Sequence, residues 1–140
     1  MIRNEKQLKI THKKIRDLQD AIKQLKTGHS NQKDLRLKMQ IDALNSDLKA
    51  LQKETREYER LRSGKVTQFA AHSLEELPIL LIKARIARSM TQEDLAIRLG
   101  LSEQQIQRYE QNNYAKASLS RIEEIAAALR IKIQEKAILV

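Results

Sequence analysis

The chain has 140 residues, 41% hydrophobic and 32% charged, with three glycines, one proline and no cysteine. So few helix breakers among so many strong helix formers predict an all-α protein of one domain or two small ones. The missing cysteines exclude disulfides, thiolate zinc sites and cysteine nucleophiles. A net charge of +9 points to an anionic partner, nucleic acid first. The charge is uneven: residues 1–70 hold 17 Lys and Arg against 9 Asp and Glu, whereas residues 71–140 hold 10 against 9. No signal-like run follows Met1, and no apolar stretch of about 18 residues could span a bilayer, so a cytoplasmic chain without membrane contact is expected.

In chain order, Leu8, Ile15 and Ile22 recur every seven residues, and Thr11, Leu18 and Leu25 follow three residues behind. One apolar stripe on a helix from about Asn4 to Lys26 results. Thr27-Gly28-His29-Ser30-Asn31 breaks it, with Gly28 suited to a left-handed helix end and Ser30 or Asn31 to capping the next helix. Leu37, Ile41, Leu44, Leu48, Leu51, Thr55 and Tyr58 then alternate at spacings of four and three, the seam of a coiled-coil helix from about Gln32 to Arg62. The short connector implies an antiparallel hairpin over residues 1–65. Two single-stripe helices bury little surface, so the hairpin is expected to dimerise, most simply as a four-helix bundle, or to bind another partner.

Ser63-Gly64-Lys65 ends that helix, and residues 66–72 read as a linker. Ser73 with Glu76 has the spacing of a capping box, and Pro78 should kink the helix that follows or begin a new one. Helices are expected over Pro78–Arg88, Gln92–Leu99, Glu103–Gln111 and Leu119–Leu129, within a domain of residues 73–140. Thr91 is placed to cap the second of these, Gly100 to end it, and Ser102 to cap the third. The residues from Ile131 alternate briefly and end in Ala137-Ile138-Leu139-Val140, an extension that either covers the core, pairs with a symmetry mate or frays.

The run Thr91-Gln92-Glu93-Asp94-Leu95-Ala96, Leu99-Gly100-Leu101-Ser102, Ile106 and Tyr109-Glu110, continued by Ser118-Leu119, Ile122, Ile125-Ala126 and Leu129, resembles the Xre family of Cro/repressor-type helix-turn-helix regulators. The resemblance implies a lambda-repressor-like domain and residue roles that physical chemistry makes sense of. Gln92 matches a glutamine that hydrogen-bonds a DNA phosphate. Glu103, Gln104 and Arg108 match the face that reads base edges, Gln with adenine, Arg with guanine and a carboxylate with the cytosine amine. Gln111 matches a backbone contact, and Ser102 stands with the phosphate-side candidates. For Gln105 and Gln107 two orientations stay open, one toward phosphate and one along the domain surface. Arg85 and Glu110 match a structural ion pair between the first and third of these helices.

The sequence departs from the family pattern at Ser89, where a glycine is usual, and at Asn112-Asn113, which replace Asn-Gly. Asn tolerates the left-handed region better than Ser does. His12, His29 and His72 are widely separated and no glycine-rich phosphate loop occurs, so neither an enzyme nor a metal or cofactor site is expected. The function expected is a sequence-specific regulator of bacterial or phage transcription, a homodimeric repressor on a palindromic operator in double-stranded DNA. The resemblance extends to antitoxins of type II toxin–antitoxin pairs, in which the hairpin would hold a toxin and the protein would repress its own operon. The alternative is a helical protein-interaction adaptor whose hairpin is the active part.

Overall fold

The computed structural model describes residues 1–28 and 34–140. Among them are six α-helices and no strand: α1 (Glu5–Thr27), α2 (Leu35–Arg62), α3 (Leu77–Ala87), α4 (Gln92–Leu99), α5 (Glu103–Gln111) and α6 (Leu119–Ala128). They fall into two compact units, Met1–Glu59 and Arg60–Val140.

The first unit is the helical hairpin. Asn4 caps α1 by accepting from Gln7 N at 2.9 Å, and Gln7 Oε1 reaches back to accept from Arg3 N at 2.8 Å. The expected stripe faces inward, with Leu8, Thr11, Ile15 and Ile22 buried and Leu18 and Leu25 half-buried. Thr11 fits because its hydroxyl donates to Gln7 O at 2.9 Å. The end of α1 corrects the sequence reading: Gly28 keeps right-handed dihedrals, φ −79° and ψ −9°. It donates to Gln24 O as one further helical residue, and an added Cβ would meet that oxygen at 3.1 Å. The caps expected at Ser30 and Asn31, and the start expected at Gln32, lie outside the described residues. Asp34 serves the first turn of α2, its Oδ1 accepting from Arg36 N and its carbonyl from Lys38 N, both at 3.0 Å.

Met1 N lies 3.6 Å from Glu54 Oε1, and His12 Nε2 lies 3.6 Å from Glu59 Oε1. The start of α1 therefore sits beside the end of α2, the antiparallel course the short connector imposes. The seam of α2 is unevenly covered. Leu37, Thr55 and Tyr58 are buried, whereas Ile41, Leu44, Leu48 and Leu51 are only half-buried.

In the second unit Gly64, at φ +71°, follows the last turn of α2, and residues 65–76 form no helix. The Ser73–Glu76 pair corrects the expectation of a capping box. Glu76 Oε2 accepts from His72 N at 2.7 Å, Ser73 lies in a turn, and α3 begins at Leu77 with Pro78 in its first turn. Proline lacks an N–H and its ring clashes with a preceding helical turn, so it is accommodated in the first turn, and the helix starts beside it and not four residues earlier. Thr91 and Asp94 form a reciprocal box at α4, Thr91 N donating to Oδ2 at 2.8 Å and Asp94 N to Oγ1 at 3.0 Å. These bonds, the backbone one first, hold the Asp94 carboxyl below its ordinary pKa.

Leu81, Ile82, Ile86, Leu95, Ala96, Ile106, Ile125 and Leu129 form the core, with α4 packed on α5 and α6, and α3 on α6. Two arginines close the C-terminal end of α6. Arg98 Nη1 donates to Ala128 O at 3.0 Å and Arg88 Nη2 to Arg130 O at 2.8 Å, where carbonyls lack helical partners and cations are favoured. The end of the extension does not cover the core, since Ile138, Leu139 and Val140 are exposed, whereas Ile131 and Ile133, next to α6, are half-buried.

Candidate nucleic-acid interface

The turn between α4 and α5 is Gly100-Leu101-Ser102. Gly100 takes φ +65°, which a residue without Cβ adopts at no steric cost, and Leu101 N then reaches back to Ala96 O at 2.9 Å. Ser102 restarts the chain as the cap of α5. Its Oγ accepts from Gln105 N at 3.3 Å, and Gln105 Oε1 accepts from Ser102 N at 2.9 Å. This is helix, tight turn, helix.

Beneath the turn lies a buried polar cluster. Arg85 Nε donates to Glu110 Oε1 at 2.5 Å, and Arg85 Nη2 donates to Glu110 Oε2 at 2.9 Å. Gln92 Nε2 donates to the same Oε2 at 2.8 Å, and Arg85 Nη1 to Met90 O at 2.8 Å. Arg85 is 2% exposed, Gln92 4% and Glu110 0%. A carboxylate so buried needs its charge matched and its lone pairs filled, and three donors from α3 and α4 do this. The amide of Gln92, expected on a DNA phosphate, is thus directed inward, onto Glu110.

The other candidates lie on α5. Ile106 and Glu110 face the core and Tyr109 is half-buried, while Glu103, Gln104, Gln105, Gln107, Arg108 and Gln111 are exposed on the remaining arc. Gln104, Arg108 and Gln111 have no side-chain group committed to another described residue. Gln107 Nε2 donates to Glu103 Oε1 at 3.1 Å. The cap holds the carbonyl oxygen of Gln105 and leaves its Nε2 as a donor.

Past α5, sequence reasoning missed Tyr114. Asn113 takes φ +48° and Tyr114 φ +53°, whereas Asn112 stays at negative φ. Two left-handed residues in succession turn the Tyr114 ring inward, where it stacks on Tyr109 at 5.6 Å with its hydroxyl buried and unpartnered. An aromatic residue directly after an Asn-Asn turn was the available signal. An open cleft of about 220 Å³ lies alongside, lined by Gln105, Arg108, Tyr109, Asn112, Tyr114, Ala115 and Lys116.

Residues 81–136 match the helix-turn-helix family model. With the geometry above, this match identifies a helix-turn-helix domain and supports, in general terms, a DNA-binding regulator of transcription. No curated protein and no solved structure matches the chain. Among the described residues no helix is long and apolar enough to cross a membrane, and no group of three or more His, Cys, Asp or Glu is placed to hold a metal ion.

Proposed function

We propose that this chain is a sequence-specific, dimeric repressor of bacterial or phage transcription that acts in the cytoplasm. The observation that carries the reading is the exposed face of α5, where Glu103, Gln104 and Arg108 project while Ile106 and Glu110 anchor the opposite face. In this reading Gln104 bridges adenine N6 and N7, Arg108 bridges guanine O6 and N7, and Glu103 accepts from a base amine. Gln111 and the Nε2 of Gln105 meet phosphate, and Ser102 supports them as the cap. Residues 71–140 are close to neutral, 10 basic against 9 acidic, so discrimination rests on these few side chains and not on a basic surface.

The half-buried seam of Ile41, Leu44, Leu48 and Leu51 favours a second copy at the hairpin. A dimer sets two α5 helices on half-sites of a palindromic operator, about 34–36 Å apart. The same seam, with 17 basic against 9 acidic residues in the first half of the chain, also suits an acidic toxin, which would make the protein an antitoxin repressing its own operon.

The test is selection of sites from random duplex DNA by the full chain, with mass measured by light scattering. Enrichment of an inverted repeat by a dimer is expected. A chain that enriches no sequence while its hairpin still captures a partner is the adaptor of the alternative reading, not a repressor.

A further inference from the structure

Residues four apart on a helix lie one above the other, so two rows of exposed side chains run along α5 beside the capping Gln105. Glu103, Gln107 and Gln111 make one; Gln104 and Arg108 make the other. In the first row the 3.1 Å bond from Gln107 Nε2 to Glu103 Oε1 fixes the polarity of both groups. Gln107 has turned its amide nitrogen toward Glu103, leaving its own Oε1 as an acceptor. Glu103 keeps Oε2 as an acceptor and has lost part of its rotamer freedom before any ligand arrives. A side chain already held loses less entropy when it meets a base than one free on a first helical turn.

We propose that Gln107 is a positioning residue for specificity: it holds the Glu103 carboxylate toward the groove so that this end of α5 selects cytosine. The inference rests on the DNA-reading role proposed above for α5, and adds the base class and the residue that orients its reader. In the major groove cytosine offers the N4 amine as its only polar group. The N6 amine of adenine stands beside the N7 acceptor, guanine presents two acceptors, and thymine an acceptor and a methyl. An acceptor-only carboxylate backed by a second acceptor matches the first of these edges and is repelled by the others. Gln104, in the neighbouring row, carries a donor and an acceptor and matches adenine.

The experiment takes the full chain and its selected site, with all four base pairs tested at each position of a half-site. One position should prefer cytosine over thymine by about tenfold, the size of a good base contact. Glu103→Gln should move that preference toward adenine. Gln107→Leu and Gln107→Met remove the donor from an exposed position. Each should lower the cytosine preference several-fold while affinity for random DNA and the melting temperature stay unchanged. In a Glu103→Ala background the Gln107 changes should alter no base preference. Gln107 variants that keep the full preference overturn the positioning role. A cytosine preference that survives Glu103→Ala overturns the assignment to this row. A wild-type chain with no preferred sequence overturns the reading of α5 itself, and this inference with it.

Discussion

Arg85 on α3 and Glu110 on α5 meet through two parallel hydrogen bonds at the centre of the DNA-binding unit, both side chains almost wholly shielded from water. Removing one partner leaves the other buried and uncompensated. Glu110→Ala and Arg85→Ala should each cost about 3–5 kcal/mol in urea denaturation. Gln92→Ala removes one charge-assisted bond and should cost about 1.5–3 kcal/mol. Replacing all three residues by apolar ones of similar volume should cost less than either charge deletion alone. Single deletions worth under about 1 kcal/mol would show that the cluster does not hold the fold.

Ser89 has φ +52° between α3 and α4, a conformation unfavourable for a residue with a Cβ. Ser89→Gly should raise stability by about 0.5–1 kcal/mol, the steric relief exceeding the added chain entropy. Ser89→Val should lower it. The readout is the urea midpoint at unchanged slope, and a Gly variant less stable than wild type refutes the strain.

The Tyr114 hydroxyl is buried without a partner, and burial, followed by the Glu110 carboxylate, pushes its pKa above the ordinary 10.0. Because the folded value is raised, the contribution is full below the ordinary phenol pKa and is lost as pH rises from there through the folded pKa. Tyr114→Phe keeps the stack on Tyr109 and should match or exceed wild type by about 1 kcal/mol at neutral pH. It should also lack part of the wild-type loss of stability above the phenol range. Parallel stability curves for the two proteins in alkali would contradict the burial of this group.

Arg108→Ala and Gln104→Ala should each lose about 1–3 kcal/mol on the selected site while binding to random duplex changes little. Equal losses on both kinds of DNA would mean that the two residues touch phosphate and not bases. Titrations at several salt concentrations separate these cases, since a lost phosphate contact lowers the salt slope by about one.

Local chemistry was the legible part. The stripes of α1 and α2, the box at Thr91 and Asp94, the left-handed Gly100 and the cap at Ser102 are each decided within a few residues. On α5 the inward positions Ile106 and Tyr109 followed from helical spacing, and the outward candidates Glu103, Gln104 and Arg108 from the resemblance. What the local sequence did not show was a partner far along the chain, save the Arg85–Glu110 pair that the resemblance implied, or a neighbour that overrides a motif. Ser73 and Glu76 have the letters of a capping box, but Pro78 sets the helix start. Gly28 could take a left-handed turn, and an ordinary helical residue serves as well. Gln92 suits a phosphate oxygen and a carboxylate oxygen equally, and Glu110 stands 18 residues away. Arg88 and Arg98 find carbonyls 42 and 30 residues on, which no periodicity signals. Tyr114 depends on two consecutive left-handed residues, a rare backbone for an aromatic.

Glu110 belongs to the same short helix as Glu103, Gln104 and Arg108, and its two oxygens are gripped from α3 and from α4. The helix proposed to read DNA therefore has almost no tilt or twist independent of its domain. In the proposed complex with DNA, any adjustment at a half-site would then fall on the duplex beneath α5 or on the whole domain, and not on α5 alone. A half-site whose groove already has the width and twist that α5 requires would be favoured through its shape as well as its base edges.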